Sequence, residues 1–128
     1  MSLAHPAVDR FIALCNEPDA DVRHALIDQT FIEDAAYFDT VHAGTAHEGI
    51  ESAWTTVIAH VGVAEFSLTA EPETHHDWVR LRWALVPEDP SEPGLEGTYV
   101  GQLADDGRFA RMIGFLDKVP TPAGSYEA

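Results

Sequence analysis

The chain has almost no cysteine and almost no lysine, and both shortages limit what it can be. Cys15 is the only cysteine among 128 residues, which excludes an internal disulfide and a metal cluster held by cysteines. Lys118 is the only lysine, and the 7 cations stand against 22 acidic residues for a formal charge of −15. Such an acidic surface repels phosphate groups, so we expect neither nucleic acid nor an anionic membrane as a partner.

Long apolar runs are also missing. No stretch approaches the roughly 20 apolar residues that span a bilayer, and the chain does not open on a basic segment followed by an apolar run, as a signal peptide would. We therefore expect a cytoplasmic location. With 45% hydrophobic residues, the chain has the size and composition of one globular domain. We predict a single domain over residues 1–119 and a flexible tail over 120–128, which are rich in Pro, Gly and Ser.

Apolar residues in the first half repeat with the period of a helix. The first such stripe, spaced i, i+3, i+4 and i+7, consists of Val8, Phe11, Ile12 and Cys15. Asp19 is predicted to be the N-cap of a second helix that ends near Asp28. Residues 31–39 are predicted to form a helical turn that feeds a strand, and 40–45 a loop. A third helix is predicted from an apolar face made of Ile50, Trp54, Val57, Ile58 and Val61.

After Gly62 the apolar period changes from 3.6 to 2, the period of a half-buried strand. Strands are predicted at residues 65–71, 78–86, 95–104 and 108–117, with a polar turn at 73–77 and a proline-rich loop at 87–94. Asp106-Gly107 is a strong hairpin signal between the last two strands. Helices followed by consecutive hairpins indicate an α+β fold, with three helices on one face of a strongly curved, mostly antiparallel sheet.

The last predicted strand is apolar on both faces. Its two faces are Phe109, Ile113 and Phe115, and Met112, Gly114 and Leu116. A strand of this kind is covered on both sides. Since the helices can cover only one side, we expect a homodimer that buries the outer face of the sheet.

Several segments, in their order and spacing, resemble the SnoaL-like and ketosteroid isomerase branch of the nuclear transport factor 2-like superfamily. They are VDRFIALCNEPDADVRHAL, DAAYFD, GIESAW, the RW of the longest strand and DDGRFARMIGFLD. The resemblance spans residues 8–117 and implies a cone-shaped fold with a pocket between the concave sheet and the helices. This superfamily includes isomerases, polyketide cyclases, dehydratases, epoxide hydrolases and proteins without catalysis, so the fold does not fix one function.

The resemblance also implies site residues. DAAYFD resembles the isomerase segment that ends in the catalytic base, which puts Asp39 at that position. YVGQLADDGR resembles the segment that begins with an oxyanion-hole donor, which puts Tyr99 there. The oxyanion tyrosine of the first helix falls at Phe11, which cannot donate a hydrogen bond. Alternatively, Asp39 is a helix-capping or turn carboxylate beside Thr40, and Tyr99 is a core tyrosine bonded to the backbone.

These residue types suit proton transfer on a carbonyl compound. Asp39, partly withdrawn from water, could take a proton from the carbon next to a carbonyl, and Tyr99 could bind the oxygen where negative charge grows. His42 and His47 flank the loop before the third helix, and either could shuttle a proton or orient Asp39. The predicted pocket is lined by Phe11, Tyr37, His47, Trp54, Leu103, Met112 and Leu116.

Other polar residues receive simpler interpretations. The spacing of Asp39, His42 and His47 matches no metal motif, and the chain has no nucleophile elbow or glycine-rich phosphate loop, so we expect no metal and no cofactor. Arg80 and Arg82 share one strand face and are expected to point outward, and His75 and His76 to be exposed in a turn. The leading hypothesis is a cofactor-independent acid/base isomerase, cyclase or lyase for an apolar carbonyl compound. The alternatives are a non-catalytic binding protein for a small hydrophobic ligand and a protein-interaction domain.

Overall fold

Three helices and seven strands make up the part of the chain that the computed structural model describes, namely residues 4–39, 43–61, 64–89, 91 and 94–118. In chain order they are α1 (Ala4–Cys15), α2 (Ala20–Thr30), β1 (Phe31–Phe38), β2 (Ala43–Thr45), α3 (Ala46–Val61), β3 (Ala64–Leu68), β4 (Glu73–His75), β5 (Trp78–Pro87), β6 (Leu95–Leu103) and β7 (Phe109–Lys118). None of these helices is both long and apolar enough to cross a membrane. The predicted tail at 120–128 lies outside the described residues.

The strands form one sheet in the order β2-β1-β7-β6-β5-β3, with β4 added beside β5. Only the pair β1–β7 is parallel, and the other pairs are antiparallel. Register shifts interrupt the β1–β7 and β6–β7 ladders, and irregularities of this kind bend and twist a sheet. The helices pack on the concave face, so the predicted α+β architecture with a curved, mostly antiparallel sheet is confirmed.

The predicted helix boundaries follow from local signals. The Asp19 carboxylate accepts hydrogen bonds from the backbone N–H groups of Asp21 (2.9 Å) and Val22 (3.1 Å), which confirms it as the N-cap of α2. α2 runs to Thr30, two residues beyond the predicted end. In α3, Ile50 and Trp54 are buried as predicted, while the side chains of Val57, Ile58 and Val61 lie outside what the structure describes.

Three segments predicted to be turns or loops contain strands. The predicted helical turn at the start of residues 31–39 is wrong, because β1 begins at Phe31 and pairs with the distant β7. The predicted loop at 40–45 contains β2, and the predicted turn at 73–77 contains β4. β2 and β4 have only three residues each, and β1 has two consecutive exposed residues, Glu33 and Asp34, that break its alternation. In each case the partner strand, rather than the sequence pattern of the strand itself, fixes the conformation.

The predicted faces of β7 are wrong for one residue. The alternation predicts Phe109 on the face of Ile113 and Phe115, but its side chain is fully buried among the core rings. The register of β6 and β7 shifts between Gln102 and Leu103, so that Gln102 faces Arg111 and Leu103 faces Phe109. The extra residue of this bulge reverses the alternation and turns Phe109 inward. Ile113 and Phe115 remain on the outer face, where both are exposed.

The core is built around the ring of Phe11. Its centroid lies 5.1–6.4 Å from five other rings, all in edge-on geometry; these belong to Phe31, Trp54, Phe66, Tyr99 and Phe109. Edge-on aromatic pairs each add roughly 0.5–1.5 kcal/mol beyond the burial of their area. This aromatic cluster joins α1 to α3 and to the inner face of strands β1, β3, β6 and β7.

Candidate functional site

Three polar side chains form a continuous hydrogen-bonded chain on the inner face of the sheet. The Tyr37 hydroxyl donates to Asp39 Oδ2 at 3.0 Å, and the hydroxyls of Tyr37 and Tyr99 lie 2.8 Å apart. Tyr37 is in β1, Asp39 follows the end of β1, and Tyr99 is in the middle of β6. The two residues at the predicted base and donor positions are therefore joined through Tyr37.

Strand β7 explains how residues 62 positions apart meet. It lies between β1 and β6, with Met112 opposite Tyr37 and Gly114 opposite Tyr99. A Cβ on Gly114 would lie 2.5 Å from Tyr99 Cε1, a separation that is too short for two carbon atoms. The missing side chain lets the Tyr99 ring lie against β7 and reach across it to Tyr37.

Both phenols are buried and protonated. Tyr37 is 1% exposed and Tyr99 is 4% exposed. Burial raises the pKa of Tyr99, and burial together with the neighbouring Tyr99 and Asp39 raises the pKa of Tyr37. The two hydroxyls therefore keep their protons at neutral pH and act as hydrogen-bond donors. Asp39 is only half-buried, so the chain runs from the deep core toward the surface.

The hydrogen-bonded chain has a direction whenever Asp39 is ionised. A carboxylate can only accept, so the Tyr37 proton points to Asp39. Because each hydroxyl has one proton, the bond between the two tyrosines must then use the proton of Tyr99. The order of donation is thus from Tyr99 to Tyr37 to Asp39, and the Tyr99 proton is already engaged.

Aromatic rings enclose the inner end of this chain. The Trp83 ring stacks on Tyr99 with centroids 5.5 Å apart, and the Phe11 ring meets it edge-on at 5.1 Å. The indole N–H groups of Trp54 and Trp83 are buried and have no hydrogen-bond partner within the described part of the chain. Buried donors are rarely left unpaired in proteins, and both indoles belong to the aromatic cluster that includes Phe11 and Tyr99.

The other predicted lining residues lie at different distances from the hydrogen-bonded chain. Met112 is directly opposite Tyr37, and Leu116 lies two residues beyond Gly114 on the same face of β7. Trp54 reaches the same aromatic cluster from α3. Leu103 is the last residue of β6 and lies opposite Phe109. The structure therefore does not bring it to Tyr99, which is in the middle of the strand.

The two predicted histidines are not placed beside Asp39. His42 lies outside the described residues. His47 Nε2 lies 2.8 Å from the carbonyl oxygen of Phe31, and Nδ1 lies 3.7 Å from the Asp28 carboxylate. Phe31 begins β1, and Asp39 follows its end, so His47 contacts the junction of α2 and β1 at the opposite end of the strand.

The outward orientation predicted for Arg80 and Arg82 is confirmed, since both are exposed on the convex face. Arg80 forms an ion pair with Glu73 at 2.7 Å. His75 and His76 are exposed in the β4–β5 hairpin, as predicted. Among the residues that the structure describes, no three His, Cys, Asp or Glu side chains are grouped to hold a metal ion.

The sequence predicts Tyr37 only as a lining residue and does not predict that it links Asp39 to Tyr99. One signal was available, because residues two apart on a strand share a face, which places Tyr37 beside Asp39. The contact with Tyr99 had no local signal. It depends on the position of β7 between the two strands and on Gly114.

Comparison with known proteins identifies the fold. No protein-family model and no curated protein matches the chain. A proposed isomerase of the SnoaL-like family from Agrobacterium tumefaciens is 27% identical, with a TM-score of 0.82 over 92% of this chain and 100% of that one. A proposed SnoaL-like polyketide cyclase from Jannaschia sp. CCS1 is 16% identical, with a TM-score of 0.71 over 91% and 89%.

A nuclear transport factor 2-like protein of unknown function from Exiguobacterium sp. 255-15 is 18% identical, with a TM-score of 0.70 over 88% of this chain and 99% of that one. The match extends over nearly the full length of each chain, so the likeness covers the helices and the sheet together. The resemblance found in the sequence is confirmed: the chain has the cone-shaped α+β fold of the SnoaL-like and nuclear transport factor 2-like superfamily.

Proposed function

We propose that this protein binds a small apolar carbonyl compound and moves a proton on it without a cofactor. The observation that carries the proposal is the hydrogen-bonded chain of Asp39, Tyr37 and Tyr99 on the inner face of the cone. It combines a half-buried carboxylate with buried phenols that stay protonated. Such a pairing suits the removal of a proton next to a carbonyl, because one group accepts the proton and another stabilises the oxyanion.

In the proposed reaction Asp39 takes a proton from the carbon beside the carbonyl. The electron pair of that C–H bond forms the enolate double bond, and the negative charge moves to the carbonyl oxygen. Tyr99 donates a hydrogen bond to this oxygen. Asp39 then returns the proton to another carbon in an isomerisation, or it supplies the proton for a departing group in an elimination. General base catalysis contributes roughly 10²–10⁴-fold and one oxyanion donor roughly 10²–10³-fold.

Three further observations support the proposal. The surroundings of Tyr99 are aromatic, which suits an apolar ligand and strengthens hydrogen bonds by excluding water. The buried N–H group of Trp54 could bind a second oxygen of such a ligand. The names of the Agrobacterium and Jannaschia relatives, a proposed isomerase and a proposed cyclase, belong to the same class of chemistry.

The test needs no knowledge of the natural substrate. A panel of cyclic apolar ketones is incubated with the protein in D₂O, and exchange of the protons next to the carbonyl is followed by NMR. We expect exchange on at least one ketone, and we expect Asp39→Asn to reduce its rate by roughly 10²-fold or more. Asp34→Asn is the matched control, because Asp34 is an exposed carboxylate in the middle of the same strand. Equal exchange by wild type and Asp39→Asn would contradict the proposal.

A binding protein without catalysis is the second candidate function. The observation that favours it is the nearly complete burial of Tyr99 beneath Phe11 and Trp83. In this alternative the phenol of Tyr99 packs the core and takes no part in a reaction. In that case the ketone panel should raise the melting temperature of the protein while no proton exchanges. Ligand binding without exchange would therefore replace the first function by the second.

A further inference from the structure

The direction of the hydrogen-bonded chain conflicts with a simple role of Tyr99 as a hydrogen-bond donor to the ligand. When Asp39 is ionised, Tyr37 donates to it and Tyr99 donates to Tyr37. The Tyr99 oxygen then presents only lone pairs to any other group. A ketone oxygen placed beside it before proton transfer would meet an acceptor, so the chain offers no hydrogen bond to the ground state.

Protonation of Asp39 removes this contradiction. A protonated carboxyl group has one O–H donor, which can turn toward the oxygen of Tyr37. The Tyr37 hydroxyl can then rotate and donate to Tyr99, and the Tyr99 hydroxyl is freed for a new acceptor. No phenol loses its proton in this series of rotations, because each O–H bond only rotates about its C–O bond.

We propose that Tyr37 is a positioning residue that makes the hydrogen bond offered by Tyr99 depend on the protonation of Asp39. The inference rests on the proposed function and adds a timing to it. Proton transfer moves one negative charge from Asp39 to the carbonyl oxygen of the ligand, and the reversal of the chain delivers a donor to that oxygen in the same step. The site thereby stabilises the enolate without stabilising the ketone, which is the condition for a higher turnover rate.

The titratable groups around the two phenols can be named within the described part of the chain. Among the described residues, the titratable groups that act on the phenols are Asp39 from the end of β1, the other phenol, and Cys15 from α1. Burial raises the pKa of the Cys15 thiol, so Cys15 stays neutral at neutral pH. Among these groups, Asp39 is therefore the one whose protonation can reverse the hydrogen-bonded chain.

The first test follows the tyrosines by NMR without any ligand. The chain has three tyrosines, so labelling at ¹³Cζ gives three resonances that single Tyr→Phe variants assign. As the pH is changed from 3 to 8, we expect the resonances of Tyr37 and Tyr99 to move with one shared midpoint, that of Asp39. In Tyr37→Phe the Tyr99 resonance should no longer follow this midpoint, whereas in Tyr99→Phe the Tyr37 resonance should still follow it.

Two outcomes would overturn the proposal: a Tyr99 resonance that does not move in the wild type, or one that keeps its midpoint in Tyr37→Phe. Near-ultraviolet circular dichroism verifies that each variant is folded. If Tyr37→Phe does not fold, Asp39→Asn tests the proposal instead, because the amide of asparagine does not change its protonation state in this pH range. Both resonances should then be independent of pH over this range, and a midpoint that persists in either would refute the idea.

The second test uses the ketone exchange assay and separates binding from turnover. Without Tyr37, the Tyr99 hydroxyl is free to donate to ketone and enolate alike, which strengthens binding but not the chemical step. We therefore expect Tyr37→Phe to lower KM and kcat together, each by about tenfold, the value of one hydrogen bond of about 1.4 kcal/mol. Tyr99→Phe should lower kcat without lowering KM. A raised KM in Tyr37→Phe would contradict the proposed timing.

The two tests distinguish failure of this inference from failure of the proposed function. Coupled tyrosine resonances without exchange on any ketone would leave the reversible chain in place and remove the catalytic function. Exchange that depends on Asp39, without coupling between Asp39 and Tyr99, would retain the function and remove the role given to Tyr37.

Discussion

The hydroxyls of Tyr37 and Tyr99 share one hydrogen bond of 2.8 Å, but the two residues do not depend on it equally. Tyr37 also donates to Asp39, so it keeps a partner if Tyr99 is removed. Tyr99 donates to Tyr37 when Asp39 is ionised, so removal of Tyr37 leaves a buried hydroxyl proton without an acceptor. The direction of the chain therefore has a consequence for stability as well as for chemistry.

We predict that Tyr37→Phe destabilises the fold more than Tyr99→Phe does. An orphaned buried donor costs about 1–3 kcal/mol, whereas loss of one hydrogen bond whose partner remains satisfied costs about 0.5–1.5 kcal/mol. Urea unfolding at pH 7 measures both variants against the wild type. The reverse order of stabilities would contradict this direction and would indicate that Tyr37 donates to Tyr99.

Alkaline pH is expected to unfold the protein through these phenols. Burial raises the pKa of Tyr37 and Tyr99 in the folded state, while in the unfolded chain phenols ionise near pH 10. Their contribution is fully present below about pH 10 and is lost as the pH rises above it, because the unfolded state then releases protons that the folded state retains. Two such groups remove up to about 2.7 kcal/mol of stability per pH unit.

The measurement combines phenolate absorbance with circular dichroism in a Tyr126→Phe background, which leaves only Tyr37 and Tyr99 as tyrosines. Phenolate absorbance should appear together with the loss of near-ultraviolet dichroism. In the additional presence of Tyr99→Phe, the pH dependence of stability should be about half as steep. Ionisation of both phenols in a protein that remains folded would contradict this prediction.

Gly114→Ala should disturb the site although position 114 carries no functional group. The added Cβ would lie 2.5 Å from Tyr99 Cε1, so the ring must move away from β7 and from Tyr37. Overpacking of this kind costs roughly 1–3 kcal/mol. Unfolding by urea gives the energy, and the Tyr99 ¹³Cζ resonance reports the displacement. In a Tyr99→Leu background, which lacks the clashing ring edge, the same substitution should cost much less.

We propose, finally, that a second copy of the chain covers the outer face of the sheet. Phe38, Ile113 and Phe115 are 43%, 36% and 52% exposed there. The same face carries exposed Arg82 and Arg111 as well as Glu96 and Asp117. A two-fold interface brings the same surface together twice, so the arginines of each copy can meet carboxylates of the other around an apolar centre.

Sedimentation equilibrium tests this assembly. We expect twice the chain mass of 14.0 kDa at micromolar concentration, and we expect Phe115→Asp to give the mass of one chain because it buries an unpaired charge. Val22→Asp is the matched control, since Val22 is a similarly exposed apolar residue (46%) on α2. A wild-type protein with the mass of one chain would refute the dimer.

Much of the fold was predictable because its signals are local. The helical stripe of α1, the Asp19 N-cap and the Asp106-Gly107 turn are each set by residues within a few positions of one another. The alternation of apolar residues likewise predicted β5 and β6 to within one or two residues. The sequence pattern failed for the start of β1, whose partner β7 is distant in the chain, and for β4, a strand of three polar residues that pairs with the neighbouring β5.

By itself, the sequence determined an acidic α+β chain with one cysteine, its helices and its main strands. Its resemblance to a known family also predicted Asp39 as the base and Tyr99 as the donor. Only the tertiary structure decided that Tyr37 joins them, because the contact depends on β7 lying between β1 and β6 and on the absence of a side chain at Gly114. It also turned Phe109 inward through a bulge and placed His47 at the far end of β1. Periodicity specifies which face of an element a residue occupies, whereas hydrogen bonds between distant strands specify which residues meet.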